Sequence, residues 1–197
     1  APRADRPAAT TAMTVEVIDA HPPAGVAPAL PTLRARPGFD VTLAGDAATP
    51  AAALAALTNA TYAELHVHGV VAAADDGAAF LALSPGADGG FALRADAVRA
   101  HRLAGAPIVV LAACRASTVA PYLSERWSLP DAFVAAGARA VIAVDRPIDD
   151  ATARRVFDDL RARVLGGEPA ARAVAAIRAR AAATGAPAWV QRLVVFE

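Results

Sequence analysis

The sequence predicts an α/β fold, a three-layer α/β/α sandwich built around a mostly parallel sheet. Two apolar runs, Ile108–Leu111 and Ala140–Val144, are typical of strands that are buried on both faces. Segments with helical features alternate with such runs, which indicates βαβ units. The 197 residues are enough for one domain of this kind and leave little room for a second.

The strand predictions rest on short runs that are rich in β-branched and aliphatic residues. Gly69 ends the third of these runs, and turn residues over positions 84–89 join the fourth and fifth runs as a hairpin. In chain order, the predicted strands cover residues 15–18, 39–43, 63–68, 80–83, 90–93, 108–111, 140–144 and 192–196.

The helix predictions rest on apolar spacing and on the residues that begin or end a helix. Thr49 is the expected N-cap of a helix that starts with Pro50. Gly137 ends a later helix, and Gly166 with Gly167 divides the last two. The predicted helices cover residues 50–57, 94–103, 129–136, 150–165 and 169–183, with a short one near 30–36, while residues 115–128 are expected to be a loop.

Composition excludes several classes of protein. Nineteen Arg residues balance nineteen Asp and Glu residues and there is no Lys, so no contact with nucleic acid is expected. The longest apolar stretch, residues 104–114, is much shorter than the ~20 residues that cross a bilayer, so no membrane association is expected either.

The start of the chain and its one cysteine bear on organisation and compartment. Residues 1–12 are rich in Pro, Ala and Arg without apolar periodicity, which predicts a linker before a domain over residues 13–197. No basic segment followed by an apolar one opens the chain, and a single Cys excludes an internal disulfide. These features favour a cytoplasmic location.

The most reactive side chains follow the ends of two predicted strands. The helix between these strands would make them parallel neighbours, so His68 and Cys114 are expected at one edge of the sheet. Cys114 comes 46 residues after His68, close to the ~50 residues that separate His and Cys in caspases. An imidazole that maintains a thiolate suits a cysteine peptidase. The alternative is that Cys114 is a small inert core residue, as a lone Cys at the end of a buried strand most often is.

Three segments resemble a known family: residues 64–69 (ELHVHG), 107–117 (PIVVLAACRAS) and 131–143 (DAFVAAGARAVIA). With weaker similarities in the same order, they are similar to the CHAT domain over about residues 14–197. This caspase-like peptidase domain belongs to the clan of caspases and separase. The resemblance implies that Cys114 is the nucleophile and His68 the catalytic histidine. It also implies an oxyanion hole formed by backbone N–H groups of Gly69 and Cys114.

The resemblance implies a cysteine endopeptidase that acts on a protein or peptide substrate and needs no cofactor. CHAT domains commonly follow repeat or sensing modules, so an upstream regulatory domain or a second copy of the chain is an expected partner. A catalytically silent CHAT-like module that binds a partner is the alternative. A domain that binds a phosphorylated small molecule is a third hypothesis, but no Gly-rich loop follows the first predicted strand.

Three further residues are candidates for a substrate pocket. Asp19 follows the first predicted strand, and Asp145 and Arg146 follow the strand over residues 140–144. The family usually has a Trp where this chain has Arg146, so the substrate preference is open. Asp145 and Arg146 are equally compatible with a surface ion pair.

A metal site is a separate hypothesis. His66 and His68 lie two residues apart on one predicted strand and would share a face, with Asp75 and Asp76 nearby. Zinc or iron needs three or four ligands, and the other two histidines stand in unrelated contexts. We therefore expect no metal, and His66 is better explained as a packed residue or as a support for the catalytic residues.

Overall fold

The structure is a computed structural model that describes residues 12–27, 35–71, 79–113, 120–122, 125–144, 146, 148 and 150–197. In these ranges the α-helices α1 to α5 are Pro50–Leu57, Ala95–Arg99, Leu129–Ala135, Asp150–Leu165 and Ala170–Thr184. The strands β1 to β11 are Thr14–Ile18, Val41–Ala44, Tyr62–His66, His68–Val71, Ala79–Ala82, Ala92–Arg94, Ile108–Leu111, Ala120–Tyr122, Glu125–Trp127, Ala140–Val144 and Leu193–Phe196.

Six of the described strands form a central sheet in the order β11-β10-β7-β3-β1-β2. All neighbouring pairs are parallel except β10 and β11, which are antiparallel. Helices cover both faces of this sheet, as parallel strands with crossover connections require. The predicted α/β/α sandwich is therefore confirmed.

Alternate residues of the central strands enter two separate cores. On one face, Val109 of β7 packs with Leu57 of α1 and Phe133 of α3. On the other face, Val110 of β7 packs with Phe157 of α4. This two-sided burial explains why the strand is a continuous apolar run instead of an alternating one.

Most element predictions are confirmed, and four need correction. Thr49 caps α1, where its Oγ1 accepts a hydrogen bond from the Ala52 N–H at 3.2 Å. Helix α2 is shorter than predicted and ends at Arg99. Part of the segment expected as a loop forms the β8–β9 hairpin. Ala35 and Arg36 are not helical, and residues 30–34, the rest of the helix predicted near residues 30–36, lie outside the described ranges.

The strand predicted over residues 63–68 is wrong in its second half. β3 ends at His66, Val67 forms a bend, and His68 begins β4 in a separate sheet. That sheet has the order β4-β5-β6, and its β5–β6 pair is the predicted hairpin. Gly69 does not end a strand, because it lies within β4 opposite Leu81. The central ladder from β1 ends where Ile18 meets His66, so residues beyond it pair elsewhere.

Two carboxylates are buried between neighbouring strands of the central sheet. Glu16 on β1 and Glu64 on β3 lie directly opposite one another, and both are fully buried. Like charges in this arrangement repel, and burial of an unpaired carboxylate is costly. The pair is therefore compatible with the fold only where a cation stands between the two.

Arg36 supplies that cation from the coil that leads into β2. Its Nε donates to Glu16 Oε1 at 2.7 Å and its backbone N–H donates to Glu16 Oε2 at 3.0 Å. Nη2 donates to Glu64, and Nη1 donates to Asp158 of α4 at 3.1 Å. One buried guanidinium thus joins β1, β3, α4 and the coil over residues 35–40.

An aromatic ring holds the same coil against α4. The guanidinium carbon of Arg161 lies 4.3 Å from the centre of the Phe39 ring, and that of Arg36 lies 5.2 Å from it. Cations over an aromatic face are attracted by the ring quadrupole. The coil over residues 35–40 is therefore held against α4 by Phe39 as well as by Arg36.

Replacement of Arg36 by Met is expected to destabilise the fold by about 3–5 kcal/mol, because it leaves two buried carboxylates without their cation. The free energy of unfolding in urea measures this loss. Arg154→Met, at an exposed position of α4, is the matched control and should change stability little. Equal unfolding midpoints for the two variants would contradict the bridging role.

Candidate active site at the carboxyl edge of the sheet

Five parallel strands end at one edge of the central sheet, and the predicted site residues follow four of these ends in the sequence. The last residues of β1, β3, β7 and β10 are Ile18, His66, Leu111 and Val144. Cys114 and Asp145 lie outside the described residues. The predicted site residues that the structure describes are Asp19, His68, Gly69 and Arg146.

The register of β3 and β7 relates the two central candidates. Tyr62 lies opposite Ile108 and Leu65 lies opposite Leu111, so partners are 46 residues apart throughout the ladder. Ala113, the residue that precedes Cys114 in the sequence, is buried at this edge. The prediction that β3 and β7 are parallel neighbours is confirmed.

His68 and Gly69 stand at the start of β4, opposite Ala82 and Leu81 of β5. The His68 side chain is partly buried, and its Nε2 atom is buried without a hydrogen-bond partner among the described residues. Buried polar atoms are nearly always paired. Among the described residues, this ring nitrogen is an exception to that rule.

His66 belongs to a different environment from His68. Its Nε2 lies 2.7 Å from Glu64 Oε2 and 2.7 Å from Arg36 Nη2. The nitrogen serves one of these partners at a time, as an N–H donor to the carboxylate or as an acceptor from the guanidinium. The ring packs edge-to-face on Phe157, with 5.5 Å between ring centres.

The shared strand that underlay the metal hypothesis is absent, because the bend at Val67 separates His66 from His68. Asp75 and Asp76 lie outside the described residues. In the part of the chain that the structure describes, no three His, Cys, Asp or Glu side chains are grouped so that they could share a metal ion.

Glu64 is the centre of a buried polar group on β3. Burial alone would raise the pKa of its carboxyl group, but the hydrogen bond and charge of His66, followed by those of Arg36, hold that pKa below its ordinary value. The Tyr62 hydroxyl donates to Glu64 Oε1 at 2.8 Å. Burial and the nearby carboxylate raise the pKa of Tyr62 well above its ordinary value, so the hydroxyl stays a donor.

Sequence reasoning did not identify this buried group. Glu16 and Glu64 each interrupt an apolar strand, which is a signal that each needs a partner. Nothing local indicates that Arg36 is the partner of both. Of this group, the sequence singles out only His66, because it lies two residues before His68 on one predicted strand.

Asp19 follows β1 with a backbone φ of 52°, in the left-handed region that few residues other than Gly adopt. Its carbonyl oxygen accepts the Gly45 N–H at 3.0 Å. Its side chain is 22% exposed and lies 3.9 Å from His21 Nε2. The Nδ1 atom of His21 is 2.9 Å from Asp46. Arg146, after β10, is exposed.

The sequence was also compared with models of known protein families. The family model of the CHAT domain matches residues 3–189. The chain belongs to the CHAT family. CHAT domains are part of the caspase-like peptidase clan. A comparison with curated proteins gives no match. None of the helices in the described part of this CHAT domain has both the length and the apolar character that a membrane crossing requires.

The CHAT domain should lose stability in acid, and Glu64 should be one of the groups responsible. Its pKa is lower in the folded chain than the ordinary value of 4.5. The ionised carboxylate therefore contributes stability that is fully present above pH 4.5 and is lost as the pH falls through the lower folded value.

Urea unfolding at a series of pH values, from about pH 3 to about pH 7, measures this dependence. Glu64→Gln should be less stable at neutral pH and should lose less stability on acidification. Asp96→Asn, at an exposed position, should keep the dependence of the parent chain. An identical acid dependence in Glu64→Gln and the parent would contradict the assignment.

Proposed function

We propose that this CHAT domain is a cysteine endopeptidase in which Cys114 is the nucleophile and His68 is the acid–base residue. The observation that carries the proposal is the register of β3 and β7. Every partner pair in that ladder is 46 residues apart, and Cys114 follows His68 by the same 46 residues. The ladder brings Leu65 beside Leu111, and His68 and Cys114 each follow three residues later in the sequence, so both come directly after neighbouring strand ends although His68 already belongs to β4.

The proposed chemistry is acyl transfer to a thiol. The Cys114 thiolate attacks the substrate peptide carbonyl, and His68 protonates the amine that leaves as the C–N bond breaks. Water then hydrolyses the thioester and releases the second product. The Nε2 atom of His68, which has no hydrogen-bond partner among the described residues, supports its part in these proton transfers.

Gly69 is proposed to take part through its backbone N–H, together with that of Cys114, as the oxyanion hole. Such donors stabilise the negative charge of the tetrahedral intermediate when they are already aimed at it. A residue without a Cβ lets the substrate carbonyl approach the backbone closely. The position of Gly69 immediately after His68, at the start of β4, supports this assignment.

The substrate pocket is proposed to include Asp19, Asp145 and Arg146. Asp19 follows β1 and Arg146 follows β10, and the order of the sheet places β3 and β7 between those strands. A peptide over the ends of β3 and β7 would therefore meet Asp19 on one side and Asp145 with Arg146 on the other. This arrangement favours a protein or peptide substrate with charged side chains near the cleaved bond.

Regulation of the domain by an upstream region or by a second copy of the chain is part of the proposal. Family architecture supports it, as CHAT domains commonly follow repeat or sensing modules. We also propose that the protein acts in the cytoplasm, where its single Cys stays reduced.

The rate of alkylation by iodoacetamide tests the proposed dyad directly. Cys114 is the single cysteine of the chain, so the mass increase of the intact protein reports on this thiol alone. We expect Cys114 to react faster than a free thiol at neutral pH, because a neighbouring imidazole favours the thiolate. His68→Ala should lower the rate by about tenfold or more.

His101→Ala is the matched control, because His101 bonds to the Thr58 hydroxyl at 2.8 Å, and both residues precede β3 and β7 at the edge of the sheet opposite to the carboxyl ends. Its alkylation rate should equal that of the parent chain. A thiol that reacts at the rate of free cysteine, with no effect of His68→Ala, would exclude the dyad and would favour the silent, partner-binding module.

A further inference from the structure

We propose that His66 is a positioning residue: it holds the turn between β3 and β4 from which His68 and Gly69 emerge. This inference rests on the proposed function, because it concerns the geometry of the proposed catalytic histidine. It concerns a residue that does not touch the substrate but sets the position of one that does.

The turn is short and joins two sheets. β3 ends at His66 in the central sheet and β4 begins at His68 in the three-stranded sheet, so Val67 is the whole connection. The path of the backbone at His66 and Val67 therefore determines where His68 begins. A displacement of about 1 Å at a catalytic group can lower a rate by about 100-fold.

The backbone ladders of β3 in the central sheet end at Leu65 and His66. The pair of Ile18 with His66 is the last of the β1–β3 ladder, and the β3–β7 ladder stops one residue earlier at Leu65. Ends of elements open more easily than their middles, because they have fewer backbone partners. Side-chain contacts must hold the strand end in place.

The side chain of His66 provides such contacts with three residues. Its Nε2 meets the fully buried Glu64 carboxylate and the Arg36 guanidinium, and its ring lies edge-on against Phe157 of α4. The side chain is 10% exposed. On the other face of the sheet, the buried Val67 side chain is part of the core formed with α1, α2 and α3.

The partners of His66 are themselves fixed. Glu64 receives the Tyr62 hydroxyl and the Arg36 guanidinium, while Arg36 is bonded to Glu16 and to Asp158 of α4. Because the Glu64 carboxylate is already fixed by these bonds, a hydrogen bond to it also fixes the His66 side chain. The network therefore transfers the rigidity of the sheet interior to the strand end that precedes His68.

Tyr62 supplies a matched control within the same network. Its hydroxyl bonds to Glu64 Oε1, whereas His66 contacts Oε2. It stands at the opposite end of β3, four residues before His66. Tyr62→Phe should weaken the network and the fold but leave the β3–β4 turn in place. This variant therefore separates an effect on the stability of the fold from an effect on the position of the β3–β4 turn.

The experiment compares His66→Asn, His66→Gln and Tyr62→Phe in the full chain. Gln extends its amide to the place of Nε2 and can still donate to Glu64, while Asn is too short. The first readout is the alkylation rate of Cys114. The second is the NMR resonance of the His68 ring, assigned with His68→Ala, which needs no enzymatic activity.

We expect His66→Asn to lower the alkylation rate by about tenfold and to shift or broaden the His68 resonance. His66→Gln should restore most of the rate and the parent resonance. Tyr62→Phe should lower the unfolding midpoint and leave both readouts unchanged. If His66→Asn is unfolded, Phe157→Leu takes its place, because it removes the ring contact and keeps the bond to Glu64.

Two results would overturn the inference. One is an unchanged rate and resonance in His66→Asn, or in Phe157→Leu where it replaces that variant. The other is an equal loss in Tyr62→Phe, which would show a general effect of stability. A parent rate that does not depend on His68 would instead exclude the proposed dyad, and the His68 resonance alone would then decide the positioning role.

Discussion

Glu16 and Glu64 face each other across neighbouring strands in the interior, and their negative charges need a buried cation between them. A single guanidinium, that of Arg36, lies against both carboxylates. Breaking a buried pair of this kind is far more costly than the pair is stabilising, because a charge is left without a partner. The coil before β2, β1, the middle of β3 and the middle of α4 are therefore held in one mutual arrangement.

This constraint reaches the candidate active site through two contacts of α4. Helix α4 begins at Asp150, after the loop that follows β10, and it meets the network through Asp158 and the His66 ring through Phe157. The end of β3 is thus linked by packed and charged side chains to α4, the helix that follows β10 in the chain.

Much of the fold and part of the site can be predicted from local sequence. Strands β7 and β10 are recognisable because burial on both faces leaves continuous apolar runs, and α1 because Thr49 and Pro50 begin it. The junction of β3 and β4 cannot be predicted in this way. Alternating residues look the same whether a strand continues in one sheet or crosses into another, since only the hydrogen-bond partners differ.

The sequence by itself determined most of the helices and strands, the family that the chain resembles and the reactive residues that follow the strand ends. These properties depend on spacing and residue type over a few positions. Only the tertiary structure decided that His66 turns to Glu64 and Arg36 while His68 begins another sheet. Arg36 is separated from Asp158 by 122 residues. Pairings at such distances arise from the packing of helices on the sheet, which local periodicity does not encode.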